Sequence, residues 1–276
     1  MLILIATPIG NLGDLSPRAE EALRGADIIA AEDTRVTGGL LHKFGIKTRM
    51  ISYHEHNAEK ARPLLLEALS QGKKVALVSD AGTPLISDPG YKLAREAIDR
   101  GYKVTGVPGP SAPLLALILS GLPTERFFFG GFLPPKRGER KRYLSELKEV
   151  PSTLLFFETA PRLFSSLEDC AEILGNRECA IARELTKLYE EIIRGTLKPL
   201  ADQFSTAKEL KGEIVLVIGP PLPKEIAGDA EIKERLGYYL KDNSPSKAAA
   251  LVAKELGMER SKIYDLAITM NKDGGR

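Results

Sequence analysis

Four carboxylates lie just beyond apolar runs in the first third of the chain. Glu32 and Asp33 follow one run, and Asp80 and Asp88 follow another. A carboxylate placed within hydrogen-bond reach of a bound substrate can act as a general base. We predict Asp33 and Asp88 as the catalytic candidates. The alternatives are an ion pair between Asp33 and Arg35 and a helix cap formed by Asp88.

Four loops of an unusual kind follow predicted strands, at residues 6–12, 31–35, 79–90 and 107–112. The second and third carry the four carboxylates, and glycine and proline are frequent in the first, third and fourth. Glycine lets backbone amides approach a ligand, and proline holds a loop in shape before binding. In open α/β sheets, ligands bind at the carboxyl ends of the strands. The loops therefore predict a ligand site, although ordinary turn chemistry would explain any one of them alone.

The familiar nucleotide-binding signatures are absent from the sequence. No Gly-x-Gly-x-x-Gly follows the first apolar run, and no Gly-x-x-x-x-Gly-Lys-[Ser/Thr] occurs. Because both signatures are absent, ordinary Rossmann dehydrogenases and P-loop NTPases are poor fits to this sequence.

His54 and His56 are two residues apart, so on a strand both would face the same side. The chain has two cysteines and three histidines, and no third ligand has a recognisable spacing. We predict no metal site. We interpret this segment as a polar, substrate-facing loop, in which one histidine is an alternative base.

Alternating strands and helices must position these loops. In the first half, the predicted strands are 2–6, 28–31, 50–53, 75–79 and 104–107. Helical spacing lies between them, and Ser16 followed by Pro17 is typical of a helix start. Buried strands alternating with helices predict an α/β domain with a largely parallel sheet. We assign this domain to residues 1–117.

A second α/β domain is predicted at residues 118–222. Its strands are predicted at 127–129, 153–157, 180–183, 191–194 and 214–218, and its helices near 140–148 and 162–174. The third and fourth strands have no obvious helix between them, which favours a mixed sheet.

A proline-rich connector at 219–223 leads to a small helical module, residues 223–276. Two helical stripes are joined through Gly257, with Ala253 before it and Ile263 after it. This pattern is typical of a helix-turn-helix. The alternative is a plain helical hairpin.

Composition is that of a globular protein. Hydrophobic residues make up 43% of the 276 residues, charged residues make up 28%, and the net charge is +2. No apolar stretch approaches the roughly 20 residues that span a bilayer. We predict a cytoplasmic protein without a membrane segment.

In order and sequence, the four loops resemble the tetrapyrrole methylase superfamily. More narrowly, they are similar to its branch of ribosomal RNA small subunit methyltransferase I, a cytidine 2′-O-methyltransferase. The motifs that carry the resemblance are residues 7–12, 32–35, 79–90 and 107–112. The resemblance implies two α/β domains with S-adenosylmethionine in the cleft between them, in a homodimer acting on small-subunit ribosomal RNA or the assembled subunit.

The resemblance also implies which residues line the cofactor site. From the first domain they are Pro8, Ala81, Gly82, Thr83, Ile86, Ser111 and Ala112. From the second domain they are Glu158, Leu185 and Ile214. Tetrapyrrole-specific members usually carry Gly-Gly-Asp-Pro where this chain has Ala81-Gly82-Thr83-Pro84. This departure argues against a porphyrin-like substrate.

A polyanionic substrate gives a role to the cations between residues 136 and 142. We predict that Lys136, Arg137, Arg140 and Arg142 contact RNA phosphates and that nearby aromatic surface stacks an unpaired base. The alternative is a solvated helix start beside core phenylalanines. Two other functions stay open: methylation of a corrinoid or sirohaem precursor, and DNA-binding regulation through the helical tail.

Overall fold

The computed structural model describes residues 1–205, 211–222, 229–256 and 258–273. The chain divides into two compact units, Met1–Pro221 and Leu222–Arg276. The first unit contains two five-stranded sheets, and the described part of the second contains three helices. None of the helices in the described ranges is both long and apolar enough to cross a membrane.

The first sheet is parallel throughout. Its strands are β1 (Leu2–Ile5), β2 (Ile28–Ala31), β3 (Met50–Ser52), β4 (Val75–Val78) and β5 (Val104–Val107). Their order across the sheet is β3-β2-β4-β1-β5. Strands β2 and β4 are buried at every position, as strands of a parallel sheet covered on both faces should be. The predicted α/β class is confirmed.

Helices cover both faces of this sheet. They are α1 (Pro17–Arg24), α2 (Thr34–Lys43), α3 (Ala58–Ser70) and α4 (Tyr91–Asp99). Leu65 of α3 and Leu93 of α4 share a core with Leu77, whereas Leu23 of α1 and Leu41 of α2 pack on the opposite face. The four helices therefore bury both faces of the parallel sheet.

Helix α1 begins as the sequence predicts. The Ser16 hydroxyl accepts a hydrogen bond from the Ala19 N–H at 3.1 Å, and Pro17 occupies the first turn. Ser16→Ala is expected to lower the free energy of unfolding by about 1 kcal/mol, measured by urea denaturation. Ser16→Asp keeps an acceptor and serves as the control. An equal loss in both variants would contradict the cap.

The second sheet is mixed, as predicted. Its strands are β6 (Phe127–Phe132), β7 (Thr153–Thr159), β8 (Glu178–Arg183), β9 (Glu191–Thr196) and β10 (Glu213–Ile218). Their order is β6-β7-β10-β8-β9. Only β6 and β7 pair in parallel among these described strands, and β8 pairs directly with β9 in antiparallel fashion.

Two of the four helices around this sheet are absent from the sequence-based prediction. The helices are α5 (Ala112–Ser120), α6 (Arg137–Leu147), α7 (Leu163–Leu174) and α8 (Leu197–Ser205). The missed ones are α5 and α8. Helix α5 is apolar on most sides, so it lacks an amphipathic period, and its proline and glycine look like turn signals. In fact Pro113 lies in the first turn and Gly121 ends the helix with φ +80°.

Helix α5 packs on the second sheet. Ala116 and Leu117 contact the core formed by Leu155, Ala180 and Val217. A boundary between residues 117 and 118 would cut this helix. We infer that the two α/β halves meet between β5 and α5.

The second unit consists of α9 (Asp229–Tyr239), α10 (Pro245–Leu256) and α11 (Arg260–Asp273). Leu236, Val252 and Ile263 form its core, together with the small Ala253. The predicted turn residue Gly257 lies outside the described residues, so the helix-turn-helix stays a prediction.

Candidate cofactor site and the residues around it

A cavity of about 380 Å³ opens between the two sheets of the first unit. Its walls are the loops after β1, β4 and β5 on one side and strands β7, β8 and β10 on the other. Sites for small ligands usually measure roughly 300–1,000 Å³. The cavity is therefore large enough for a nucleoside-sized ligand.

Most of the residues predicted to hold the cofactor meet in this cavity. The lining contains nine of the ten: Ala81, Gly82, Thr83, Ile86, Ser111, Ala112, Glu158, Leu185 and Ile214. Pro8 does not line this cavity but a neighbouring one, whereas the next residue, Ile9, lines both.

Hydrogen bonds fix the first-sheet loops to one another. Thr7 and Gly82 form an isolated antiparallel bridge, and the Thr83 hydroxyl donates to the Pro110 carbonyl at 3.1 Å. Gly82 has φ +79°, and a Cβ there would lie 3.3 Å from Cγ2 of Ile9. Glycine is needed here for both the turn and the close approach of the loops. The wall is thus shaped before any ligand binds.

Backbone strain is concentrated in two loops beside the cavity. The non-glycine residues with positive φ in the described part of the chain are Leu85, Ser87, Glu184 and Thr186. Such conformations cost of order 1–3 kcal/mol each and tend to occur at functional sites. The Asn11 N–H donates to the Thr186 hydroxyl at 3.1 Å, so the second loop is also tied to the first half.

Three side chains that sequence reasoning missed form the sheet side of the cavity. Phe157, Val215 and Ala182 lie side by side in register across β7, β10 and β8, and all three line the cavity. The strand order that brings them together was not predicted. Gly212 before β10, with φ +107°, was the available signal that this strand begins at a special position.

Glu158 is buried at the end of β7, and its carboxylate is fully engaged. It accepts hydrogen bonds from the Ser166 hydroxyl at 2.5 Å and from the Thr159 N–H at 2.8 Å, and it pairs with Arg162. This arrangement fixes the corner between β7 and α7. Glu158 is therefore a rigid part of the wall.

Asp88 has the properties of a general base. It lines the cavity, and burial raises its pKa to about 6, while a hydrogen bond with Ser79 opposes the rise and the charges of Glu32 and Asp80 add to it. Burial also raises the pKa of Glu32. Because a base works best with a pKa near the working pH, Asp88 fits this role.

Asp33 does not fit the role of base. It lies outside the cavity lining and caps α2 by accepting from the Arg35 N–H at 2.8 Å. Its carboxylate also accepts from Nε of Arg35 at 3.0 Å. These hydrogen bonds lower the pKa of Asp33 to about 2. These contacts support the ion-pair alternative for Asp33 rather than the catalytic assignment.

The basic segment divides into buried and exposed cations. Arg140 is 3% exposed, and its Nε donates to the fully buried Asp169 at 2.8 Å. The prediction that Arg140 contacts RNA is therefore wrong, because its guanidinium is held inside the protein. Arg142 is exposed. Arg137 and Lys136 are also exposed, although they pair with Asp169 and Glu139.

The histidine segment is compact. The rings of His54 and His56 lie 6.0 Å apart in an edge-on arrangement. In the described ranges, no group of three or more His, Cys, Asp or Glu side chains is placed to hold a metal ion.

Two α/β halves, with a preformed cavity at the carboxyl edge of the parallel sheet, define the class of ligand-binding α/β enzymes. Comparison with known proteins narrows that class. The tetrapyrrole (corrin/porphyrin) methylases match residues 1–201. The chain belongs to this methylase family, within the branch of the ribosomal RNA small subunit methyltransferases I, which confirms the resemblance seen in the loops.

Two relatives support the assignment of the chain to this branch. A protein of Mesorhizobium japonicum named "Ribosomal RNA small subunit methyltransferase I" is 51% identical, covering 99% of this chain and 93% of the relative. One of Halalkalibacterium halodurans with the same name is 45% identical, covering 96% and 93%.

Solved structures share the fold. Diphthine synthase superposes with a TM-score of 0.62 at 16% identity, covering 79% of this chain and 90% of its own. Uroporphyrin-III C-methyl transferase from Thermus thermophilus, complexed with S-adenosyl homocysteine, gives 0.54 at 19% identity, covering 79% and 96%.

Proposed function

We propose that this chain transfers a methyl group from S-adenosylmethionine to the ribose 2′-oxygen of a cytidine in small-subunit (16S) ribosomal RNA. The observation that carries the proposal is the 51% identity, over nearly the full length, to a relative named for methylation of small-subunit ribosomal RNA. The nucleotide and the acceptor atom come from the resemblance to this branch.

The cavity suits S-adenosylmethionine. Ala182, Leu185 and Ile214 offer an apolar surface for a purine ring. Thr83 and Ser111 place hydroxyls on the opposite wall, and Gly82 lets the backbone approach the ligand. When bound, the cofactor supplies a methyl group on a positively charged sulfur. The chain has to hold that group in line with the acceptor oxygen, at about 3–3.5 Å.

Asp88 accepts the proton that the ribose hydroxyl loses. A hydroxyl is a weak nucleophile, so a carboxylate beside it raises the rate. Among Glu32, Asp33, Asp80 and Asp88, this is the one that lines the cofactor cavity. The charges of Glu32 and Asp80 raise the pKa of Asp88, and Asp33 binds Arg35.

The exposed cations Lys136, Arg137 and Arg142 contact RNA phosphates. Phe132 is 54% exposed and lines the cavity mouth. An exposed aromatic ring beside a basic segment is suited to stacking an unpaired base. We also infer a cytoplasmic homodimer, which light scattering on the purified protein would test.

The decisive measurement is transfer of labelled methyl from S-adenosylmethionine to small ribosomal subunits, naked ribosomal RNA and DNA. We expect label in RNA, and nuclease mapping should place it in a ribose-methylated cytidine. Calorimetry with S-adenosylhomocysteine measures cofactor binding separately. Cofactor binding without transfer to any RNA would contradict the proposal and favour a small-molecule acceptor.

A further inference from the structure

A second cavity adjoins the cofactor cavity. It measures about 410 Å³ and lies between the loop after β1, helix α2 and the end of β4. Ile9, Ala81 and Glu213 line both cavities. The two spaces are therefore adjacent. Methyl transfer requires adjacent donor and acceptor sites, because the reacting atoms must come within about 3–3.5 Å of each other.

The chemistry of the second cavity suits a nucleotide. Its apolar walls are Pro8, Leu12, Val36 and Leu40. Leu12 is 43% exposed and Val36 is 49% exposed, so both offer uncovered surface to a flat ring. Two lysines, Lys43 and Lys187, and two carboxylates, Asp80 and Glu213, also belong to the lining. Lys187 pairs with Glu184 and Glu213, whereas Asp80 accepts a hydrogen bond from the Asp33 N–H. Apolar walls with cations match a base and its phosphates.

Asp88 lies on the side of the cofactor cavity that is nearest the second cavity. The loop after β4 carries Asp88 in the lining of the cofactor cavity, Asp80 in the lining of the second, and Ala81 in both. A base in this position serves an acceptor that enters from the second cavity.

The guanidinium of Arg35, close in sequence to lining residues of this cavity, is exposed to solvent and bound by Asp33. The side chain of Arg35 is 89% exposed, yet Asp33 binds it through Nε at 3.0 Å. The Asp33 N–H in turn donates to Asp80, a lining residue, at 2.9 Å. Within the described residues, Asp33 is the one ion-pair partner of Arg35.

An exposed ion pair contributes little stability, about 0–1 kcal/mol, so this arrangement needs another explanation. A planar guanidinium held in advance binds phosphate at lower entropic cost. We propose that the second cavity receives the acceptor nucleotide of the RNA and that Arg35, positioned by Asp33, binds a phosphate next to it. The inference rests on the proposed function, because it assigns the nucleotide subsite of that reaction.

The phosphate contact is tested with Arg35→Gln, using methylation of small subunits by the full chain. We expect KM for the subunit to rise about tenfold, with kcat within about twofold. The slope of log affinity against log salt should fall by about 0.7, the value for one phosphate contact on a single strand. Arg35→Lys should recover part of the loss. Arg95→Gln is the matched control, because Arg95 also forms an exposed ion pair, with Asp99, but lines neither cavity.

The Asp33→Asn variant distinguishes two roles of Asp33: positioning of Arg35 and catalysis as a base. Asparagine still caps α2 but holds Arg35 less firmly, so we expect KM to rise about threefold with kcat and melting temperature nearly unchanged. A loss of kcat of a hundredfold or more at constant KM would make Asp33 a catalytic base and overturn its positioning role.

The cavity itself is tested with Leu12→Trp, which fills it. We expect KM for the subunit to rise more than tenfold while the Kd for S-adenosylhomocysteine stays within about twofold. Leu64→Trp is the control, because Leu64 is 56% exposed on α3 and lines neither cavity. If wild type methylates subunits and the cavity variants match their controls, the subsite is wrong and the function stands. If wild type binds cofactor but methylates no RNA, both proposals fail.

Discussion

Asp88→Asn is expected to lower kcat for ribosomal RNA methylation by about 10²–10⁴-fold, the usual contribution of a positioned base. Asparagine has nearly the same shape but cannot take the proton from the ribose hydroxyl. Single-turnover methyl transfer to small subunits measures the effect, and Asp99→Asn, on the exposed face of α4, is the control. A loss of less than about fivefold would remove Asp88 from the mechanism.

The same carboxylate predicts a pH profile for wild type. The base must be ionised, and its pKa is raised to about 6. The rate should therefore rise with pH up to about 6 and level off above it. In Asp88→Asn, this rise of the rate with pH should be absent.

Stability should change in the opposite sense to activity. The pKa of Asp88 is raised from 3.8 to about 6, so between these values the folded state keeps a proton that the unfolded state has lost. Stability falls as pH rises through this window, and the full penalty remains above it. Asp88→Asn should therefore melt at a higher temperature than wild type at pH 8 but not at pH 3.5. A lower melting temperature at pH 8 would show that the carboxylate is structural.

Arg140→Gln is expected to destabilise the protein by about 3–5 kcal/mol, because it breaks a buried ion pair and leaves Asp169 without its buried partner. Asp169 is fully buried, and Arg140 also donates to the carbonyls of Pro134 and Pro135. Arg137 still reaches Asp169 at 2.9 Å, so the lower end of the range is expected. Urea unfolding measures the change.

Arg142→Gln, two residues along the same helix, is the matched comparison. Arg142 is exposed, so its stability should change by less than about 0.5 kcal/mol, whereas KM for the RNA substrate should rise. If the two variants were equally stable, the buried pair would carry none of the stability assigned to it.

The different roles of Arg140 and Arg142 could not be predicted from the sequence. Both belong to one basic run, and nothing local distinguishes them. The distinction depends on Asp169, which lies 29 positions away on α7. Likewise, Asp33 and Asp88 are both acidic residues that follow strands. Asp33 binds Arg35, whereas Asp88 lines a cavity. Contacts across the fold, rather than residue type, decide these roles.

The elements themselves were more predictable, for a physical reason. Most strands of both sheets are apolar runs bounded by polar or turn residues, and β9 carries the short apolar pair Ile192-Ile193. All ten strands were therefore predicted from the sequence. Helix α5 was missed because its proline and glycine act as helix ends rather than as turns. Nine of the ten residues predicted to hold the cofactor line the cavity. Six of them belong to loops that converge at the carboxyl edge of the parallel sheet, and Glu158, Leu185 and Ile214 come from the second sheet.

The strand order of the second sheet has a consequence for synthesis of the protein. Strand β10 is the last of the described strands along the chain but lies in the centre of its sheet, between β7 and β8. During synthesis, β7 and β8 each keep one unpaired edge until residues 213–218 have been made. Unpaired strand edges promote aggregation. Ile214, on this strand, also lines the cavity that we propose as the cofactor site. A cofactor bound there meets all of its walls only after nearly all of the first unit has been made, so binding would stabilise finished chains over incomplete ones.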